Sequence, residues 1–183
     1  MACDLTLGRK TPCKDVVGGI NRVWFVDFGD LGVLTIGNDD ELTNCSGTFS
    51  AFQYDVKGAN SLSSTFNVSR ENGTTFFSQE LSLTLTKLSK EDNKQLKLIA
   101  YGRPHIFVED YNGSVWLVGA EHGCEVTGGT AVTGTAMGDL SGYTLTLTAS
   151  ETTLPNFVTG ATAANPFAGL AAAVETIVVG TNS

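Results

Sequence analysis

The sequence predicts a mainly β protein: an antiparallel β-sandwich or partial barrel with two long hairpins and one α-helix. Three observations lead there. Two long stretches alternate between small hydroxyl residues and large apolar ones, and each folds back on itself. Such alternation is the period-two signature of a strand with one buried and one wet face. Glycine is plentiful at 21 residues while proline is scarce at 4, which suits many tight turns. Only one segment carries a helical period. With 183 residues, 42% of them hydrophobic and 16% charged, the chain is long enough for one domain with a sizeable core.

Taken in order, the segment through Lys14 is irregular, with Pro12 inside it. Residues 22–28 (RVWFVDF) and 32–36 (GVLTI) read as two strands, rich in β-branched and aromatic side chains and separated by the turn signal Gly29-Asp30. Residues 38–47 read as a polar loop carrying Asp39-Asp40-Glu41, and residues 49–56 as a further strand. The first long hairpin, residues 60–88, folds at Asn72-Gly73. Its outgoing arm sets Leu62, Phe66 and Val68 against Ser61, Ser63, Thr65, Asn67 and Ser69. The return arm sets Phe77, Leu81, Leu83 and Leu85 against Ser78, Glu80, Ser82, Thr84 and Thr86. Ser64 and Gln79 are the exceptions on the apolar side.

Ser89 is the N-cap of the one expected helix, residues 90–101, with Asp92 in the capping-box position and Gly102 as the stop. Leu96, Ile99 and Ala100 supply its apolar stripe. A third hairpin pairs residues 105–109 with 114–118 through Asn112-Gly113. The second hydroxyl-rich hairpin, residues 126–150, presents Thr127, Thr133, Thr135, Thr144, Thr146, Thr148 and Ser150. Residues 1–158 form the expected β domain. Residues 159–183 are a low-charge extension, either tucked onto that domain or laid out as an arm; beyond Leu154 the only ionisable side chain is Glu175.

The chemistry is sparse. A formal charge of −8 argues against a protein that grips phosphate through clustered Lys and Arg. No nucleophile elbow, Walker loop or HExxH motif is present, and the glycine pairs Gly18-Gly19 and Gly128-Gly129 read as strand ends or bends. Cys3, Cys13, Cys45 and Cys124 lack paired spacing, and His105 and His122 supply no paired ligand, so no metal and no cofactor is expected. Glu121-His122, with Cys124 nearby, reads as a turn, and Asp39-Asp40-Glu41 as a solvated loop lacking the spacing of a calcium loop. Trp24 and Trp116 are expected in the core or an interface. Met1-Ala2-Cys3-Asp4 opens no signal peptide and no run is long enough to span a membrane, so a cytoplasm-like compartment is expected and no membrane partner. The sequons at Asn44, Asn67, Asn72 and Asn112 are then chance matches.

Solvated strands usually carry charges that guard against edge-to-edge aggregation. Here the polar positions of the two hairpins hold a single one, Glu80. Closing several copies into a ring removes the open edges by completing a continuous β-barrel, with the hydroxyl faces lining a channel and the helix on the apolar outside. At this point the chain resembles the major tail tube proteins of tailed bacteriophages. The resemblance rests on Met1-Ala2-Cys3, on Gly18-Gly19-Ile20 leading through Asn21 into Arg22-Val23-Trp24-Phe25, on the long hydroxyl hairpin, and on residues 142–148 (GYTLTLT). It spans most of the chain up to about residue 158. It implies hexameric rings with four strands from each subunit, stacked into a virion tail tube assembled in the host cytoplasm. It also implies a lumen that holds a tape-measure protein and conducts double-stranded DNA without binding it specifically. The lumen-facing set would be the hydroxyl positions named above, apart from Ser64 and Ser150, with Asn67 and Glu80. Arg70, at the rim, would meet an acidic loop of the next ring, Asp39-Asp40-Glu41. Competing readings are another virion component (tail terminator, neck or head decoration) and a carbohydrate- or cell-binding β-sandwich, which would need exposed aromatics grouped on one surface.

Overall fold

The computed structural model describes residues 7–11, 13–170 and 173–180. Cys3 and Pro12 lie outside the described residues. The fold is mainly β. One antiparallel sheet has four strands, β5 (Ser61–Ser69), β6 (Thr74–Thr86), β10 (Gly142–Glu151) and β9 (Glu125–Val132), in the order β5-β6-β10-β9. A six-stranded sheet packs against it in the order β11-β8-β7-β1-β4-β12. Its strands are β1 (Ile20–Val26), β4 (Phe49–Asp55), β7 (His105–Asp110), β8 (Val115–Val118), β11 (Asn156–Phe157) and β12 (Val174–Val179). A small hairpin of β2 (Leu34–Ile36) and β3 (Leu42–Cys45) completes the strands.

Alternation along β1 and β7 feeds two cores. Val23, Phe25, Ile106 and Val108 join Leu81, Leu83, Tyr143, Leu145 and Leu147 of the four-stranded sheet in the first. Trp24, Val26 and Phe107 point the other way, into a second core with Phe49, Leu42, Phe167 and Leu170. The six-stranded sheet is therefore covered on both faces, which explains its nearly unbroken apolar runs in β1 and β7. The helix α1 (Lys90–Tyr101) begins at Ser89, whose hydroxyl accepts the Asp92 N–H at 3.0 Å. Leu96 is its buried residue and belongs to the inter-sheet core, so the helix lies on the apolar side of the four-stranded sheet.

The strands on either side of Gly29-Asp30 do not pair with each other: β1 pairs with β4 and β7, both distant in sequence. A turn signal marks a chain reversal and says nothing of which strand lies alongside. The stretch read as a polar loop, residues 38–47, contains β3, whose Leu42 and Cys45 are buried while Asn44 faces out. The C-terminal segment lies on its own domain. Phe167 sits edge-on to Trp24, Phe49 and Phe107 at 5.3, 5.9 and 5.0 Å, contacts worth about 0.5–1.5 kcal/mol each beyond burial. Arg22, whose guanidinium grips the buried Glu109 carboxylate at 2.6 and 2.8 Å, also donates to the Ala163 carbonyl at 3.0 Å. Beyond them β12 adds to β4 in parallel.

Candidate functional site

The first long hairpin pairs in the register that alternation demands. Leu62 lies opposite Leu81, Phe66 opposite Phe77, and the two exceptions, Ser64 and Gln79, lie opposite each other. Gln79 is 1% exposed. Its amide accepts the Gly119 N–H at 3.0 Å and donates to the Thr153 carbonyl at 3.0 Å, so a polar group in the core serves to tie two loops to the sheet.

The opposite face is laid out in rows by the ladders. Thr86 stands beside Gly142 and Val132, then Thr84 beside Thr144 and Thr130. Ser61, Ser82, Thr146 and Gly128 form the next row, followed by Ser63, Glu80, Thr148 and Glu125. Thr65, Ser78 and Ser150 follow, then Asn67 with Phe76, and Ser69 with Thr74. The face is bound together locally: the Thr130 and Thr144 hydroxyls lie 2.7 Å apart, and the Asn60 carboxamide oxygen accepts the Thr84 N–H at 2.7 Å. The only charges in these rows are Glu80 and Glu125, and they share one row.

The structure gathers the expected residues of β5, β6 and β10 onto this face, and treats those of β9 differently. A bulge between Thr146 and Leu147 leaves Thr127 as the extra residue, its hydroxyl directed at the Thr146 carbonyl at 3.4 Å. Thr133 and Thr135 lie past the end of β9, in the loop that leads to β10, where the Asp139 carboxylate accepts the Thr135 and Ala136 N–H groups at 2.9 and 2.7 Å. Those two bonds hold the Asp139 carboxyl below the usual carboxylate range. In their place β9 contributes Thr130, Val132 and Glu125. The signal that finds them is Thr130 facing a Thr of β10. It is hidden by Gly128-Gly129, which have no side chain to report a face.

The two outer strands of this sheet, β5 and β9, each pair on one side only among the described residues. Three successive antiparallel pairings, β5 with β6, β6 with β10 and β10 with β9, make these two edges antiparallel to each other. The β5–β6 hairpin also overhangs. β10 ends at Glu151 opposite Phe77, while β6 begins three residues earlier at Thr74. Phe66 and Val68 on the apolar side of that overhang are 64% and 70% exposed, and Phe76 on the other side is 44% exposed. Arg70 lies in the turn just beyond, exposed.

The acidic loop sits elsewhere, between β2 and β3. Asp40 there takes a left-handed conformation (φ 56°) and its carbonyl accepts the Asn156 side chain at 2.9 Å, leaving Asp39 exposed and Glu41 half-buried. Trp24 is wholly buried, and Trp116 is half-buried against Phe157, so the two tryptophans do not form one exposed platform. Comparison with known protein families, curated proteins and solved structures returned no match.

Proposed function

We propose that this chain is a structural, non-catalytic virion subunit that joins copies of itself into closed rings, stacked as the tube of a phage tail. The observation that carries the reading is the four-stranded sheet itself. One face is buried, the other is a nearly uncharged hydroxyl surface, and its two open edges run antiparallel. The β9 edge of one copy can therefore extend the β5 edge of the next without changing the ladder type. This is a head-to-tail contact, and rotation closes it into a ring.

Size supports six copies, the number that the family resemblance implies. Twenty-four strands spaced about 4.8 Å apart and tilted by about 35–45° give a backbone circle about 45–50 Å across. That leaves room for hydrated duplex DNA, or for a few helices of a tape-measure protein at about 10–12 Å each. Hydroxyl groups present water to the duplex, and the shared row of Glu80 and Glu125 repels phosphate instead of holding it.

Negative-stain electron microscopy over a concentration series tests the reading. Open-ended hollow tubes of uniform bore are expected. Single rings that never stack would point instead to a terminator-like virion part. A globule that stays monomeric at high concentration would overturn ring closure through these edges.

A further inference from the structure

We propose that Glu121, His122 and Glu151 form a binding site for a divalent, zinc-like cation. The site is independent of the hydroxyl face. It lies where the loop after β8 meets the end of β10, and one donor atom from each of the three side chains lies within 4.8 Å of the other two. Glu121 and His122 are neighbours, but Glu151 is 29 residues from His122 in sequence, a spacing that no short motif reveals.

Glu151 shares its face of β10 with Leu147 and Ala149, so its carboxylate is drawn into the fold and its side chain is 1% exposed. One oxygen, Oε1, accepts the Glu121 and His122 N–H groups at 3.2 and 2.9 Å, which fixes both carboxylate and loop. The other, Oε2, lies 3.1 Å from His122 Nδ1. Ligands at about 2.0–2.2 Å from a tetrahedral zinc stand about 3.3–3.5 Å apart. This contact is a direct hydrogen bond between the two side chains, and an ion held between them would replace it at nearly the same spacing.

The remaining donor, the Glu121 carboxylate, is exposed and, among the described residues, accepts from the Thr152 hydroxyl at 3.4 Å, so it can swing the short distance to close the set. Together the two carboxylates and the imidazole offer a divalent cation one nitrogen and two oxygen donors. The imidazole favours zinc, nickel or cobalt over magnesium or calcium, which prefer all-oxygen ligands. Three protein ligands leave a fourth position for water.

The loop is held in shape for this. Gly119 and Gly123 have φ of 69° and 74°, and a Cβ at Gly123 would come within 2.4 Å of the Arg103 carbonyl oxygen. The Gly119 N–H is held by Gln79 and the Cys124 N–H by the Pro104 carbonyl. Rigid backbone of this kind lowers the cost of gathering ligands.

Isothermal titration calorimetry of the full chain with zinc chloride tests the proposal, with calcium chloride as the control. One equivalent of zinc is expected, with calcium at least tenfold weaker. His122→Ala and Glu121→Gln, both at exposed positions, should each weaken zinc binding tenfold or more while leaving the far-ultraviolet circular dichroism unchanged. No zinc binding by the wild type would overturn the proposal. So would zinc binding that either substitution leaves intact, because the ion would then sit elsewhere on the chain, for example at the exposed Cys13.

Discussion

His105 shows how one side chain can set a pH limit on the whole fold. Burial pushes its pKa below the ordinary histidine value, although a hydrogen bond to the Gly119 carbonyl and the charges of Glu151 and Asp30 pull upward. The ring stacks on Phe28; Nδ1 lies 2.6 Å from the Gly119 carbonyl oxygen and Nε2 accepts the Gly29 N–H at 3.4 Å. Two such partners fit only the neutral imidazole with its proton on Nδ1. A lowered folded pKa means that the unfolded chain binds the proton more readily. Stability is then full above the unfolded value near 6.5 and is lost as pH falls through the window below it. Urea unfolding at pH 7.5 and pH 5 should show this loss, and His105→Gln should flatten that part of the profile. Gln79 makes a separate case. Gln79→Leu keeps the volume but strands the Gly119 N–H and the Thr153 carbonyl in a buried setting. A loss of about 1–3 kcal/mol in the same urea experiment is the expected result.

Among the elements, the β5–β6 hairpin was the most legible in the sequence. The Asn72-Gly73 turn fixes its fold-back, and every large apolar residue except Phe76 agrees on one phase, down to Ser64 opposite Gln79. The strand β9 was not legible, since its central glycines carry no phase and a single extra residue reverses it. β3 was hidden because a four-residue strand with two inward side chains leaves too short a pattern among polar neighbours. The partners of β1 were out of reach for a different reason: pairing between distant strands is decided by the packing of both cores, and no local signal encodes it. The helix, by contrast, was bounded by its own cap and stop, which are local. The overhang of the hairpin gives the prediction at this scale. Phe66→Ser with Val68→Ser removes apolar surface that its own chain leaves exposed, so the monomer should keep its melting temperature within a few degrees. Polymerisation followed by sedimentation velocity should need at least tenfold more protein. An unchanged assembly threshold would mean that the overhang makes no contact with a second copy.

For the molecule as a whole, the surface assigned to the proposed channel is the one that lacks strong interactions. Its rows hold mostly hydroxyls, with glycines, Asn67, Val132, Phe76 and two carboxylates, and no cation among them. Thr84→Lys with Thr146→Lys places two cations in adjacent rows on neighbouring strands. The apolar face and both open edges are untouched, so the proposed tubes should still form. Those tubes should retain duplex DNA at low salt and release it steeply as salt rises, as expected when phosphates are neutralised. Filter binding against salt concentration measures this; wild-type tubes should retain none. If the variant tubes also retain none, the hydroxyl face does not line the channel.

The overhanging hairpin has one more consequence. In the proposed ring, copies related purely by rotation about a common axis all point their tips toward the same rim, so the two rims are chemically different. One presents Phe66, Val68 and Arg70, and the other does not. Any stack joined by meeting unlike rims is a vectorial object, with a head and a tail that cannot be exchanged. The two ends of such a stack would then need different capping molecules, and the end at which growth starts would decide which way it points.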